Sequence, residues 1–341
     1  MKIEVYSPTI RRKEMDAVLT AMVEDKIGPG DRARLLIQTA KENLRFDYAL
    51  ALRSPVTALY LALKALKAQP GQGVIISALS PRYYFQVIED FQLTPLFCDV
   101  SYDFPCMSRK TIEKTLAAKP ADMEVSCIIL HHTLGFLPDT AGIAELGLAV
   151  IEDISQSYGT LSSPVHGAFS ILGLEERDML TSGGGALLFA ANRREGTALR
   201  SFASIPNEYC LPDINAALAI VQFKEWLRNV ERRGEIAGVY TQSSLRARHK
   251  RFVPLAEGQY NNYAFPLVLE AGLKDVVAYA RKKEIVVESA FENSLATAGI
   301  CGPERCPVSH SLSLRTVLFP LYPRLRSQEA ERVSKLIMTI P

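Results

Sequence analysis

Several features are scarce in this sequence of 341 residues, and each scarcity excludes a class of protein. No run of about 18 consecutive apolar residues occurs, which a membrane-spanning helix would need. The 39 lysine and arginine residues nearly balance the 37 aspartate and glutamate residues, so no strong field favours nucleic acid or an anionic membrane surface. We therefore predict neither a membrane protein nor a partner of nucleic acid.

Cysteine is also sparse. The six cysteines are spread over the chain without the dense spacing of a disulfide scaffold, and we predict that most are buried thiols. Cys301, Cys306 and His310 match no common zinc spacing, so we expect a surface loop there and no metal site. The N-terminal segment lacks the apolar stretch and cleavage site of a secretory signal, and we expect a cytoplasmic protein.

The chain does contain a regular alternation of short apolar segments and helical patterns. Apolar residues make up 48% of the sequence and charged residues 22%, which is typical of a globular protein. Ser54 and Pro55 are suited to the N-cap and first position of a helix that begins after one apolar segment. The pattern predicts an α/β fold with a mainly parallel sheet covered by helices on both faces. The predicted strands lie near 49–53, 73–77, 94–100, 125–133, 148–155 and 183–190.

The last third of the sequence has a different pattern. From Pro212 onward the sequence predicts one long helix, followed by strands near 262–269 and 315–319 and helices near 274–283 and 328–338. We predict a large domain over residues 1–230 and a smaller α+β domain over residues 231–341.

Five motifs in sequence order point to a known family. They are IGPG at 27–30, SPVTAL at 54–59, VIEDISQSYG at 150–159, FS at 169–170 followed by TSGGGALL at 181–188, and LPDINAALAIVQFKEWLRNVERRGEIAGVY at 211–240. In this order and spacing the sequence resembles the DegT/DnrJ/StrS family of nucleotide-sugar aminotransferases, which use pyridoxal phosphate. The resemblance implies a fold type I aminotransferase architecture, a homodimer, a nucleotide-sugar ligand and a place in sugar or polysaccharide biosynthesis.

The resemblance also implies which residues would bind pyridoxal phosphate. Asp153 matches the acidic residue beneath the pyridine nitrogen, Gln156 the residue beside the ring hydroxyl, and Ser170 a contact of the phosphate. Ser54 and Val56 occupy the phosphate-binding turn, where the family has Ser-Gly-Thr. Tyr83 is a candidate for stacking on the ring, as is its neighbour Tyr84. The alternatives are a polar strand end for Asp153 and core or interface packing for the tyrosines.

One residue that the family requires is missing. The family has a lysine that holds the cofactor as a Schiff base. Counting back from the glycine turn of FSILGLEERDMLTSGGG places Asp178 at that position, where a carboxylate cannot condense with an aldehyde. No lysine occurs from residue 120 to residue 223. One dehydrating subgroup of the family has a histidine in place of this lysine, but here no histidine occurs between His166 and His249.

Two hypotheses follow. The first is a pseudoenzyme that keeps the fold as a homodimer or as the partner of an active relative, with the crevice empty or holding another ligand. The second is an active aminotransferase-family enzyme of sugar biosynthesis that uses an unusual residue or free pyridoxamine phosphate.

Overall fold

The computed structural model describes residues 2–160, 166–202, 204–245, 247–270 and 272–341. Helices and strands alternate through the first half of the chain. In chain order the elements are α1 (Arg12–Val23), α2 (Asp31–Leu44), β1 (Tyr48–Leu52), α3 (Pro55–Ala65), β2 (Gly73–Ser77), α4 (Arg82–Asp90), β3 (Thr94–Cys98), α5 (Arg109–Ala118), β4 (Val125–His131), α6 (Thr140–Ala144), β5 (Ala149–Asp153), β6 (Phe169–Gly173), β7 (Ala186–Ala190), α7 (Arg193–Arg200), α8 (Asp213–Ser244), β8 (Phe265–Val268), α9 (Leu273–Lys282), β9 (Glu288–Ser289), α10 (Pro307–Arg315), β10 (Thr316–Phe319) and α11 (Ser327–Thr339).

The larger sheet has seven strands in the order β1-β7-β6-β5-β4-β2-β3. The five strands from β6 to β3 pair in parallel, while β7 and β1 add an antiparallel edge. The prediction of a mainly parallel sheet is confirmed. Asp153 ends β5 and lies in register with His131 of β4 and Ile171 of β6, so these carboxyl ends meet at one edge of the sheet. In open α/β sheets this edge is where ligands bind.

Apolar residues cover both faces of this sheet. Helix α3 contributes Leu59 and Leu63 to the core on one face, and Phe189 and Leu172 belong to a separate core on the other. The start of α3 is as predicted, with Ser54 as N-cap, whose Oγ accepts the N–H of Thr57, and with Pro55 in the first turn. Helices α5, α7 and α10 lie outside the predicted segments, and they are short, with 10, 8 and 9 residues, so each offers few apolar positions from which to recognise a helical period.

A second sheet of three antiparallel strands, in the order β8-β10-β9, forms with α9, α11 and the end of α8 a further core. The predicted long helix is confirmed, because α8 runs without interruption from Asp213 to Ser244. The proposed boundary at residue 230 falls inside this helix, and the division into two domains stays a prediction.

The segment from Cys301 to Cys306 is a loop, as expected, and residues 303–305 are exposed, while the two cysteines are buried thiols. Both thiols are buried, packed with Ala78 and Ala296, and His310 lies in α10. The apolar side chains are drawn inward here because the segment closes over the end of the larger sheet.

Within the described ranges no helix is long and apolar enough to cross a membrane, and no group of three or more candidate ligands could hold a metal ion.

Candidate functional site

The floor of the crevice is the Asp153 carboxylate, buried at the carboxyl end of β5. Both of its oxygens accept hydrogen bonds from the protein. Oδ1 accepts the N–H of Ser155 at 3.0 Å and the Ser155 hydroxyl at 2.5 Å. Oδ2 accepts the hydroxyl of Tyr84 at 2.6 Å and that of Tyr83 at 3.1 Å. Four donors therefore surround this carboxylate, which is what a buried carboxylate needs to offset the loss of water.

The two tyrosines reach Asp153 from the first turn of α4. Their rings pack edge to face with centroids 4.8 Å apart, and the Tyr84 ring also contacts the His131 ring edge to face at 6.1 Å. Burial and the nearby Asp153 charge raise the pKa of both tyrosines well above the ordinary value, so both hydroxyls remain protonated donors. The sequence offered Tyr83 for stacking on a planar ligand. In the structure it joins Tyr84 in donating to Asp153.

One wall of the crevice is the turn that carries Asp178, between β6 and β7. The turn is closed by two hydrogen bonds: the Asp178 N–H donates to the Glu175 carbonyl at 3.1 Å, and the Glu175 N–H donates to Asp178 Oδ2 at 2.9 Å. Among the described residues no donor bonds to Asp178 Oδ1. Burial first, and the Asp153 charge second, raise the pKa of Asp178 to about 8.

Gly173 allows the floor and this wall to approach each other. A methyl group at Gly173 would overlap both Asp178 Oδ2 and Ser155 Oγ. The Gly173 N–H also donates to Ser155 Oγ at 2.7 Å, so Ser155 accepts from β6 while it donates to Asp153. The missing side chain at Gly173 thus brings two carboxyl groups into one low-dielectric site, which explains why ionisation of Asp178 is costly.

A cavity of about 400 Å³ opens in front of this wall. The turn is tied across the cavity to the smaller sheet, because Arg177 bonds to both carboxylate oxygens of Glu288 in β9, at 2.7 and 3.4 Å. None of the described residues that line the cavity is a lysine. The lining consists of Leu79, Pro81, His131, Thr133, Leu134, Gln156, Glu175, Arg177, Asp178, Tyr263, Ser289, Ala290, Phe291, Glu292, Asn293, Ser294 and Leu318.

Gln156 is one of the residues that line the cavity. Its Oε1 accepts the N–H of Leu134 at 2.6 Å, which orients the amide. Ser170 lies in the middle of the sheet on β6, and its hydroxyl is buried without a hydrogen-bond partner among the described residues. A buried hydroxyl without a partner fits a phosphate contact, and among the described residues Ser80 Oγ is another hydroxyl of this kind.

In the turn that the resemblance implies for phosphate binding, the Ser54 hydroxyl already has hydrogen-bond partners within the protein. Ser54 Oγ accepts the N–H of Thr57 at 3.2 Å and lies 3.0 Å from the Thr57 hydroxyl, so it serves as the cap of α3. Pro55 has no N–H to offer, and Val56 presents an isopropyl group, 42% exposed, where the resemblance implies a threonine hydroxyl.

Sequence reasoning missed several parts of this site. Ser155 carried no signal beyond its place in the VIEDISQSYG motif, and the Arg177 to Glu288 contact joins residues more than one hundred positions apart. Behind the floor, His132 Nε2 lies 3.3 Å from Glu152 Oε2, both side chains being fully buried, though the two atoms are not aligned for a hydrogen bond. His132 Nδ1 lies 2.7 Å from the Ser157 hydroxyl, which makes this histidine part of the support of β5.

The sheet order, the crevice at the carboxyl ends of β4 to β6, and the buried aspartate at the end of β5 together define the architecture of a fold type I aminotransferase. The chain belongs to the DegT/DnrJ/EryC1/StrS aminotransferase family, whose family model matches residues 8–338.

The matches to known relatives cover nearly the whole chain. A dTDP-4-dehydro-2,3,6-trideoxy-D-glucose 4-aminotransferase from Saccharopolyspora spinosa is 24% identical, and the match covers 97% of this chain and 95% of the relative. Among solved structures, Helicobacter pylori PseC, an aminotransferase involved in the biosynthesis of pseudoaminic acid, superposes with a TM-score of 0.87 at 15% identity, covering 99% of this chain and 98% of PseC. The Escherichia coli GDP-4-keto-6-deoxy-D-mannose-3-dehydratase with bound hydrated pyridoxal phosphate superposes with a TM-score of 0.85 at 13% identity, covering 99% of both chains.

Proposed function

We propose that this chain is a member of the family that does not transaminate and that binds a sugar ligand without a lysine-bound cofactor. The observation that carries the proposal is the state of the Asp153 carboxylate. Tyr83, Tyr84 and Ser155 already donate to both of its oxygens, and across the crevice stands Asp178 instead of an amine.

Pyridoxal phosphate does not fit the residues that are present. The pyridinium nitrogen needs a carboxylate oxygen as its acceptor, and a ring that reached Asp153 would have to displace the hydroxyls of Tyr83 and Tyr84. The aldehyde needs an amine, and the Asp178 carboxyl cannot supply one. The phosphate would meet Val56 and a Ser54 hydroxyl that already caps α3, and the unpaired buried hydroxyls of Ser170 and Ser80 are what remains in its favour.

The test is to incubate the purified full chain with pyridoxal phosphate, reduce with borohydride and map the peptides by mass spectrometry, beside a lysine-bearing relative as positive control. We expect no stoichiometric adduct and no visible absorbance band of a Schiff base. One lysine fully modified, together with that band, would contradict the proposal. Turnover of a keto-sugar nucleotide with pyridoxamine phosphate would instead favour an active enzyme that uses the free cofactor.

We also propose that the chain forms a homodimer. Helix α1 carries Met15, Leu19 and Met22, and each of these apolar side chains is about half exposed, at 51%, 55% and 51%. Their spacing of four and three residues forms a continuous apolar stripe, which a second copy of the chain would cover. Light scattering during size-exclusion chromatography should give the mass of a dimer, and a monomer at micromolar concentration would contradict this.

A further inference from the structure

We propose that the open edge of the larger sheet, along β3, binds an extended acidic segment of a partner protein, which adds to the sheet as a further strand. The inference goes beyond the proposed function. It concerns a surface three strands away from β5, and no residue that lines it also lines the crevice.

The backbone of β3 is unpaired on its outer side. β3 is the last strand of the sheet and pairs with β2 alone among the described strands. The Thr94 N–H donates to a carbonyl just before β2, and the Cys98 carbonyl accepts an N–H just after it, so these two residues face β2. Backbone groups alternate between the two sides of a strand, and those of Pro95 and Phe97 therefore face outward. No backbone hydrogen bond among the described residues joins these outward groups to another segment.

A groove of about 700 Å³, which we call the β3 groove, lies along this edge. One wall is α5, which packs with Leu96 over one face of the sheet. The other wall is the segment before α10, where the Arg305 guanidinium lies over the Phe97 ring at 5.9 Å from its centroid. Residues 94–97 are only half-buried between the two walls. An extended segment of about five residues therefore has room to lie against β3, as in other complexes where a peptide adds a strand to a sheet edge.

The charges on the β3 groove select an acidic partner. Lys114, Lys119 and Arg305 line it, and none of them forms an ion pair with a carboxylate of the described residues. Lys119 Nζ donates to two backbone carbonyls, at 2.7 and 3.2 Å, which leaves its charge without a counterion. Asp99 is the one acid among the described lining residues, and its carboxylate already accepts four hydrogen bonds, three of them from the first turn of α10. Three positive charges thus remain for a ligand.

Pro95 explains why this edge depends on charge. Proline has no N–H, so β3 offers fewer backbone hydrogen bonds than an ordinary edge strand, a feature that discourages indiscriminate pairing. Complementary side chains then have to supply the remaining affinity, and the three cations supply it to acidic residues alone.

The experiment uses a fluorescein-labelled peptide of alternating glutamate and valine, about seven residues long, titrated into the full chain and followed by fluorescence anisotropy. Matched peptides carry glutamine or lysine in place of glutamate, and a fourth keeps the glutamates but has every backbone amide N-methylated. We expect the glutamate peptide to bind about tenfold more tightly than the glutamine peptide, the factor expected of three exposed ion pairs, and to weaken as salt is raised.

The methylated peptide separates strand addition from attraction between charges. It keeps all the glutamates and cannot donate to the carbonyls of Pro95 and Phe97, so it should lose the binding. Hydrogen exchange followed by mass spectrometry gives a second readout. With the glutamate peptide bound, exchange should slow in the peptide that contains Phe97, whose N–H then has an acceptor.

Charge reversal assigns the effect to the β3 groove. Lys114→Glu, at an exposed position of α5, should weaken the glutamate peptide about tenfold and strengthen the lysine peptide. Lys224→Glu makes the same change at an exposed position of α8, outside the groove, and should alter neither affinity. Thermal unfolding of each variant confirms that it is folded.

The inference is overturned if the glutamate peptide binds no more tightly than the glutamine and lysine peptides, complete absence of binding included. It is also overturned if the methylated peptide binds as tightly as its parent, because the groove would then be a site for anions and not for a strand. Dissociation of a homodimer by the glutamate peptide, seen by light scattering, would assign the groove to a second copy of the chain and contradict the inference as well. None of these measurements involves pyridoxal phosphate, so the proposed function fails or stands separately.

Discussion

Two carboxyl groups in the same crevice have opposite surroundings. Asp153, on the floor, accepts four hydrogen bonds from Tyr83, Tyr84 and Ser155 and is closed to solvent. Asp178, on the wall, accepts one hydrogen bond from a backbone N–H and faces a cavity. The protein itself supplies the hydrogen bonds of Asp153, whereas Asp178 has few donors among the described residues and lies at a cavity.

The difference shows that the behaviour of a buried acid depends on the donors around it as well as on its depth. The donors around Asp153 supply what water would have supplied, so its charge requires no ligand. Burial first and the Asp153 charge second raise the pKa of Asp178 to about 8, and the hydrogen bond from the Glu175 N–H lowers it only in part. The predictions below alter one side of this contrast at a time.

The largest effect is expected on the floor. Asp153→Ala would leave the hydroxyls of Tyr83 and Tyr84 and the N–H of Ser155 buried without an acceptor, and should lower the free energy of unfolding by roughly 3 to 5 kcal/mol. Urea unfolding measures this. Asp90→Ala, an exposed aspartate at the end of α4, is the control and should change the free energy by less than about 0.5 kcal/mol. If Asp153→Ala were as stable as Asp90→Ala, the claim that hydrogen bonds to Asp153 stabilise the fold would be refuted.

The next largest effect is expected at Asp178, where a substitution should raise the free energy of unfolding instead of lowering it. The folded pKa of Asp178, about 8, lies above its ordinary value of 3.8, so the stability that goes with its proton is complete below about pH 4 and is lost as pH rises through 8. Asp178→Asn avoids this loss. It should match the wild type near pH 4 and exceed it by roughly 2 to 4 kcal/mol at pH 8, after allowance for partial exposure. Unfolding at pH 4, 6 and 8 tests the trend, and a constant difference at all three would contradict it.

A smaller effect separates the two tyrosines. Tyr84→Phe removes the shorter hydrogen bond to Asp153 from a fully buried ring and should cost about 1 to 2 kcal/mol. Tyr83→Phe removes the longer bond from a less buried ring and should cost about 0.5 to 1 kcal/mol. Both are measured by the shift in the urea midpoint. The reverse order would mean that Tyr83 is the principal donor.

Much of the scaffold follows from local sequence. The cap at Ser54 with Pro55 behind it, the short apolar strands and the long helix from Pro212 are determined by residues close together in the chain, and each is confirmed. Helix α1 shows the limit of such local patterns, because Met15, Leu19 and Met22 recur at helical spacing and yet each is about half exposed. Periodicity identifies the stripe and cannot say what covers it.

Only part of the candidate site could be predicted from the sequence. The motif placed Asp153 and Gln156 at the crevice, and the glycine count placed Asp178 opposite. The engagement of Asp153 by tyrosines about 70 residues earlier in the chain depends on how α4 packs over the sheet. The pKa of Asp178 depends on the absent side chain at Gly173 and on the distance to β5. No local pattern contains these distances.

A crystal structure determined in saturating pyridoxal phosphate tests the central claim most directly. We predict that the Tyr84 hydroxyl remains within hydrogen-bonding distance of Asp153 Oδ2 and that no pyridine ring lies over the end of β5. A ring with its nitrogen on Asp153, and with both tyrosines displaced, would contradict the claim that the protein completes its own floor.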